Sequence, residues 1–211
     1  MNGFLNVYKP SGCTSFKVVS RIKGILKKDK VGHTGTLDPL AKGVLPICIG
    51  KATKLSNYVM SNFKIYTAVL KLGITTDTYD REGNALKIRP IECINDEDIK
   101  KSISKFVGQI KQIPPMYSAL KVNGKRLYEL ARKGIEIARE PRDITIYEIN
   151  IDDIHIPFVK FTVKCSKGTY IRSLCYDIGE DIGCGASMWE LERIQTGIFN
   201  KDSSVSINDL N

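Results

Sequence analysis

Residues 32–46 read GHTGTLDPLAKGVLP, and this stretch decides how the chain is interpreted. The segment 32–43 holds too much glycine and proline for a regular element, whereas the apolar residues 44–49 that follow are typical of a buried strand. Upstream, Thr14 or Ser15 is a candidate N-cap for a basic helix that runs to about residue 26. We therefore expect an irregular loop held rigidly between a helix and a strand.

Asp38 is the candidate for chemistry in this loop. The proline after it favours an extended backbone, which points the carboxylate away from any helix. Positive potential from the surrounding basic residues keeps such a carboxylate ionised. An Asp-Pro turn without chemistry is the plain alternative. A P-loop NTPase is excluded, because no Gly-Lys-Ser/Thr follows the glycines.

The composition of the 211 residues is that of an ordinary globular protein, with 42% hydrophobic and 26% charged residues. The chain holds no apolar run near the roughly 18 residues of a membrane span, and its N-terminus does not resemble a signal peptide. We expect a cytoplasmic protein. Six cysteines without a C-x-x-C pair, and only two histidines, exclude a zinc-finger framework and argue against a disulfide scaffold. The sequence predicts neither a metal nor a nucleotide cofactor.

The positive charge is unevenly distributed along the chain. Residues 1–64 hold 11 basic and 2 acidic residues, and residues 100–142 hold 11 and 3, whereas both other stretches are net negative. The whole chain carries a formal charge of +9. Two basic segments on an otherwise acidic chain favour a polyanionic partner such as nucleic acid, although such surfaces can also be merely solvated.

Hydrophobic periodicity predicts an α+β fold in which strands outnumber helices. The predicted strands cover 4–8, 44–49, 64–72, 144–151, 158–166 and 188–194. The predicted helices cover 15–26, 95–106 including an Asn95 cap, 127–132 and 170–182. Residues 109–142 form a distinct basic segment between the second helix and the later strands.

Five blocks, in order, carry a resemblance to a known family. They are NVYKPSGCTS (6–15), GHTGTLDPLAKGVLP (32–46), KIYTAVLKLGITTDTYDREG (64–83), QIPPMYSALKVNGKRLYELARKG (112–134) and the pair KGTYIRSL (167–174) with LERIQTGIF (191–199). These blocks resemble the motifs of the TruB-type tRNA pseudouridine synthases. Any one block is a weak signal, whereas their order and compatible spacing make a strong one.

The resemblance implies a pseudouridine synthase fold, with a mixed, mostly antiparallel central sheet flanked by helices. It implies isomerisation of uridine 55 in the tRNA T-loop, with Asp38 as the catalytic aspartate, Arg172 as its partner and Tyr66 stacked on the target base. The positions matched to the target nucleotide's site are His33, Tyr170 and Leu191, and Lys9 with Pro10 matches a motif beside the catalytic loop. Taken singly, each of these residues has a structural alternative, as a core, turn or surface side chain.

The reaction leaves three roles open for the carboxylate: attack on C1′, attack on C6, or removal of the C2′ proton.

We expect residues 1–211 to form a single catalytic domain with an RNA-binding insertion at 109–142 and without the C-terminal PUA-like domain of many relatives. The expected partner is the T-loop and T-stem of tRNA. We expect the protein to be a monomer that does not bind a membrane. The alternative is a non-catalytic tRNA-binding or RNA-folding protein on the same fold.

Overall fold

A computed structural model describes residues 1–28, 30–60, 62–122 and 124–210 of the chain. The helices are α1 (Ser15–Leu26), α2 (Ser56–Met60), α3 (Asp96–Ser104), α4 (Leu127–Ala131) and α5 (Ile171–Ile182), with 3-10 helices at Gly50–Leu55 and Ile207–Asp209. The strands are β1 (Gly3–Lys9), β2 (Val31–His33), β3 (Lys42–Ile49), β4 (Lys64–Leu72), β5 (Ile74–Thr76), β6 (Ala85–Ile88), β7 (Gly108–Gln112), β8 (Lys121–Val122), β9 (Lys125–Arg126), β10 (Arg142–His155), β11 (Phe158–Cys165), β12 (Ala186–Thr196), β13 (Phe199–Asn200) and β14 (Val205–Ser206). Over the described ranges, none of these helices has the length and apolar content of a membrane span.

Ten of the strands form one mixed sheet. Its order is β14-β1-β3-β12-β4-β11-β10-β7, with β2 paired to β3 and β13 to β12. The pairs β1–β3, β2–β3, β7–β10 and β12–β13 are antiparallel, whereas β1–β14 and β3–β12 are parallel. Strands β5 with β6 and β8 with β9 form two separate hairpins. The predicted α+β class, with a mixed and mostly antiparallel sheet, is confirmed.

Local sequence explains where the two predicted N-terminal caps lie. The Thr14 hydroxyl accepts a hydrogen bond from the Lys17 amide at 3.1 Å, and α1 then buries Val18, Val19 and Ile22 while its basic residues face water. At α3, the Asn95 side chain and the Asp98 carboxylate cap each other's backbone amides. The acidic first turn of α3 also suits the positive end of the helix dipole.

The segment 32–43 is more ordered than its glycines and prolines suggest. Residues Val31–His33 form β2, which pairs antiparallel with β3 so that Val31 lies opposite Ile49. Strand β3 already begins at Lys42. The prediction of a fully irregular segment was therefore wrong at both ends, and the irregular part is 34–41. Pairing with β3 stabilises an extended backbone at Val31–His33 that the local sequence around Gly32 does not favour.

The chain divides into two compact units. The first comprises Met1–Thr67, Thr162–Lys167 and Glu190–Asn211, and the second comprises Ala68–Phe161 and Gly168–Trp189. Nearly every side chain of β3 is buried in the first unit. In the second unit α3 packs on α5, with Ile99, Ile103, Leu174 and Ile178 all buried. That residues 1–211 act as a single catalytic domain stays a prediction.

Asp177 in α5 makes the stability of the second unit depend on pH. Burial, and secondarily the charge of Glu180, raise the pKa of Asp177 to about 6. Because the unfolded carboxyl titrates near 4, the folded form binds more protons between these values, so this group's contribution to stability falls as pH rises through that window.

We expect Asp177→Asn to raise the free energy of unfolding by about 1 kcal/mol at pH 7.5, a figure discounted for the partial exposure of the carboxyl. Most of this gain should vanish at pH 4, where the folded carboxyl is already protonated. Urea unfolding at the two pH values measures it. Asp181→Asn is the matched control, since Lys105 lowers the pKa of Asp181 and the sign is opposite. An equal gain at both pH values would contradict the assignment.

Candidate functional site

The backbone on both sides of Asp38 is held by residues of the N-terminal segment 9–15. The Ser15 hydroxyl bonds to both the amide and the carbonyl of Leu37, at 2.9 and 3.1 Å. Beyond Asp38, the Pro39 carbonyl accepts hydrogen bonds from the Gly12 amide at 2.9 Å and from Lys9 Nζ at 3.3 Å. The Ser11 hydroxyl donates to the Leu40 carbonyl at 2.7 Å. The loop that carries Asp38 is therefore fixed by side chains remote in sequence.

Lys9 is fully buried and acts as a donor for backbone carbonyls. Besides Pro39, its Nζ donates to the carbonyls of Pro10 and Cys13, at 2.9 and 2.7 Å. A buried ammonium is costly unless its protons are all used, and here it joins the N-terminal turn to the loop of Asp38. The structure thus places Lys9 beside the loop.

We expect Lys9→Met to lower the free energy of unfolding by about 3 kcal/mol, because it removes the buried ammonium that joins the carbonyls of Pro10, Cys13 and Pro39. Urea unfolding measures this cost. Lys17→Met, on the exposed face of α1, is the matched control and should be close to neutral. Equal stabilities of the two variants would show that the buried ammonium does not hold the turn.

Tyr66 lies in β4 with only 7% of its surface exposed. Burial raises the pKa of its hydroxyl, the guanidinium of Arg193 opposes this through its charge and a side-chain hydrogen bond, and the charge of Asp38 raises the pKa further. Asp38 and Arg193 therefore both act electrostatically on Tyr66 within the first unit.

His33 and Leu191 belong to the same unit as Asp38. His33, at the end of β2, is half-buried, and its Nδ1 accepts a hydrogen bond from the Gly35 amide at 3.3 Å. Burial, with Arg193 as the second cause, lowers the pKa of His33, so its imidazole is neutral at pH 7. Leu191 is buried on β12, two residues before Arg193 and on the same face of that strand.

Arg193 is a buried arginine beside the Asp38 loop that was not predicted from the sequence. It is 1% exposed, and it donates to two carbonyls of the segment that carries Asp38. The sequence holds a signal for it: in LERIQTGIF (191–199), Arg193 falls on the same face of the predicted strand as Leu191, the face where apolar residues are expected. Lys64 on β4 is a second buried cation here. Burial, and then Arg193, lower its pKa to about 8.

Tyr170 and Arg172 lie at the start of α5 in the second unit. Tyr170 is the N-cap residue, and its backbone is clamped by the Gln112 side chain, which accepts from the Tyr170 amide at 2.8 Å and donates to its carbonyl at 3.1 Å. The Ser173 hydroxyl donates to the Ile113 carbonyl at 2.9 Å. Residues Gln112 and Ile113 thus fix the first turn of α5, a role of Gln112 that the sequence did not suggest.

Arg172 is almost fully buried and binds within the second unit at three places. Its Nη1 donates to the Thr78 carbonyl at 3.2 Å and its Nη2 to the Tyr117 carbonyl at 2.9 Å, and its Nε lies 3.8 Å from an Asp80 carboxylate oxygen. Within this unit the carboxylate beside Arg172 is therefore Asp80, which the sequence analysis did not single out. The pairing of Arg172 with Asp38 stays a prediction.

Asp80 is held in place by an unusual backbone. The preceding Tyr79 has a φ of 61°, a left-handed conformation that costs energy in a bulky residue and often marks functional sites. Its ring stacks on Tyr176 with centroids 4.1 Å apart. The Asp80 carboxylate accepts hydrogen bonds from the Thr78 hydroxyl at 2.7 Å and the Glu82 amide at 3.0 Å. The strained turn therefore directs Asp80 towards Arg172.

Both basic segments expose most of their cations. In the first, α1 contains no acidic residue and presents Lys17, Arg21 and Lys23 to solvent. In the 109–142 insertion, Arg126 and Arg132 lie over the ring of Tyr128, at 5.9 and 5.5 Å from its centroid. Exposed arginines interleaved with an aromatic ring are typical of surfaces that bind nucleic acid.

Comparison with protein families gives two matches that follow each other along the chain. Residues 23–171 match the TruB family pseudouridylate synthase N-terminal domain, and residues 172–211 match the tRNA pseudouridylate synthase B C-terminal domain. Among solved structures, a Cbf5-Nop10-Gar1 complex contains a chain 34% identical with a TM-score of 0.77. The match covers 99% of this chain and 53% of that one, so the chain spans about half its length. The predicted fold is confirmed.

Curated relatives are similar over the whole of this chain. The tRNA pseudouridine synthase B of Clostridium novyi is 64% identical over 210 residues, which cover 100% of this chain and 72% of the relative. That of Clostridium acetobutylicum is 60% identical over 211 residues, covering 100% and 73%. Because a family model matches most of the chain and relatives share this much of its sequence, the chain belongs to the TruB family of pseudouridylate synthases, which are isomerases.

Proposed function

We propose that this chain converts the uridine at position 55 in the T-loop of tRNA to pseudouridine, with Asp38 as the catalytic carboxylate. The observation that carries the proposal is the fixation of the Asp38 loop: Leu37 before it and Pro39 after it are bonded to Ser15, Gly12 and Lys9. A carboxylate that reacts with a sugar or base must be held in one geometry. Relatives named for tRNA pseudouridine synthesis support the choice of substrate.

The proposed reaction is an isomerisation in which one carboxylate is the reacting group of the protein. The N1–C1′ bond breaks, a C5–C1′ bond forms, and the proton on C5 is lost while N1 gains one, so the product is an isomer of the substrate. Asp38 can serve by attack on C1′, by attack on C6, or by removing the C2′ proton. In each case the carboxylate must be charged and close to the nucleotide, and we propose that Arg172 is its partner.

The target uridine lies inside a folded loop, so it must leave its stack to reach Asp38. We propose that Tyr66 holds the extruded base by stacking, worth about 1–3 kcal/mol, without directional hydrogen bonds that would prevent rotation of the freed uracil. The neutral imidazole of His33 and the apolar surfaces of Tyr170 and Leu191 would exclude water, which would otherwise trap the cleaved intermediate as an abasic site.

The basic segments supply affinity for RNA rather than chemistry. Lys17 and Arg21 on α1, and Arg126 and Arg132 in the insertion, are free to approach phosphates of the T-stem because they face solvent. When the logarithm of the RNA association constant is plotted against the logarithm of the salt concentration, each phosphate contact should make the negative slope steeper by about 0.7–0.9. Recognition should rest on loop shape and splayed bases, as is usual for RNA.

Conversion of a T-arm stem-loop RNA tests this proposal. Because pseudouridine and uridine have equal mass, the RNA carries tritium at C5 of its uridines, and release of tritium reports the reaction. We expect release equivalent to one uridine per RNA, mapped to position 55 by carbodiimide-dependent primer stops, and none from an RNA with cytidine there. Tight binding without release at any salt concentration would overturn the proposal and leave a non-catalytic RNA-binding protein.

A further inference from the structure

Arg193 is a buried cation at the Asp38 loop that the chemistry above does not use. Its guanidinium donates through Nε to the Val44 carbonyl at 2.8 Å and through Nη2 to the Gly35 carbonyl at 3.1 Å. These two acceptors lie on opposite sides of Asp38 in sequence, three residues before it and six after it. One planar group therefore joins the entry of the loop to its exit.

The surroundings of Arg193 are shaped to admit this contact. Gly35 has a φ of +124°, which favours glycine, and a Cβ there would lie 3.7 Å from Arg193 Nη1. Gly43, paired in register with Arg193 on β12, has no room for a side chain, because a Cβ would collide with the Arg193 backbone. Gly43 thus allows the backbones of β3 and β12 to approach closely at Arg193, and Gly35 supplies the left-handed backbone whose carbonyl Arg193 bonds.

We propose that Arg193 is a positioning residue for the proposed reaction, clamping the two ends of the loop that carries Asp38. This inference rests on the proposed function. The geometry distinguishes Arg193 from an ordinary buried arginine, because both acceptors belong to one short segment and because Arg193 also interacts with Tyr66. Its charge therefore lies beside the residue proposed to hold the base, while its donors fix the backbone of the residue proposed to react.

Arg193→Lys is the informative change. It keeps the positive charge, but a single ammonium on a flexible stem does not reproduce the planar fork that bonds two carbonyls at once. In a single-turnover experiment with saturating stem-loop RNA, we expect the rate constant to fall at least about 30-fold, while the RNA dissociation constant changes less than about threefold. A role confined to stability would leave the rate of the folded protein unchanged below its melting temperature.

Hydrogen–deuterium exchange of the RNA-free protein provides a readout that does not depend on activity. The amides of Thr34, Leu37 and Ala41 are bonded within or next to the loop, so their exchange reports whether the loop is held. We expect Arg193→Lys to speed their exchange at least about tenfold without affecting the amides of α3.

Arg89→Lys is the matched control for both readouts. Arg89 also binds through a fork, with Nη1 and Nη2 on the Glu180 carboxylate at 2.8 and 3.1 Å, but it belongs to the second unit. It should alter neither the loop amides nor the rate. Unchanged loop exchange in Arg193→Lys, or faster exchange with an unchanged rate, would overturn the inference. If the wild-type protein itself converted no RNA, the proposed function would fail, and the exchange data would still decide whether Arg193 clamps the loop.

Discussion

Asp38→Asn is expected to lower single-turnover conversion of the T-arm stem-loop by at least about 10³-fold while leaving RNA affinity within about threefold of wild type. The amide is nearly the same size as the carboxylate, but it is neither a base nor a useful nucleophile. The bonds that fix the loop go to the backbone of Leu37, Pro39 and Leu40, so they survive the change. Tritium release and a filter-binding titration measure rate and affinity separately.

Asp143→Asn is the matched control for that experiment. Asp143 is an exposed carboxylate on β10, paired with Lys111 at 3.2 Å, and its loss should leave the rate unchanged. Full activity of Asp38→Asn would remove Asp38 from the chemistry and the catalytic assignment with it. A loss of activity together with a lowered melting temperature would point instead to damage of the loop, which the exchange of the Leu37 amide would reveal.

Local signals in the sequence predicted the helices well. The cap of α1 at Thr14 and the capping box of α3 at Asn95 each depend on residues within one turn. The alternation of residues 158–166 likewise predicted β11, whose buried and outward positions follow that alternation. Such features need no knowledge of the rest of the chain.

Strands that become regular only through pairing were predicted less completely. Strand β2 was missed because its three residues acquire regular structure only by pairing with β3. Strand β10 continues to His155, past the predicted end at residue 151, through a polar Asp152-Asp153 pair typical of a turn. Neither strand of the hairpin β5–β6 was among the predicted strands. In each case tertiary pairing overrode the local preference.

The candidate site shows the same division between local and distant signals. Asp38 was found because its loop has a distinctive composition and matches a family motif, whereas its anchors depend on contacts between remote segments. Asp80 becomes visible only through its 3.8 Å approach to Arg172, and Gln112 only through its clamp on the Tyr170 backbone. Side chains that act by holding other residues leave a weak trace in a single sequence.

Arg172→Lys should slow conversion about 100-fold, although it preserves the positive charge. The guanidinium divides its donors between the Thr78 and Tyr117 carbonyls while its Nε faces Asp80. A lysine has one ammonium group, which cannot serve these positions together, so the first turn of α5 and the Tyr117 segment lose a common anchor. Single-turnover tritium release at saturating RNA, well below the melting temperature, measures the effect.

A double-mutant cycle with Asp80→Asn separates positioning from general damage. If Arg172 acts through the geometry that Asp80 imposes, Asp80→Asn alone slows the reaction, and adding it to Arg172→Lys costs little more, because the same arrangement is already lost. Independent roles would make the two rate effects multiply. Arg89→Lys, which alters the forked pair of Arg89 with Glu180 of α5, should leave the rate unchanged. Multiplying effects would contradict a shared role of Arg172 and Asp80, and an Arg172→Lys enzyme as fast as wild type would show that their arrangement stabilises the second unit without orienting the reacting groups.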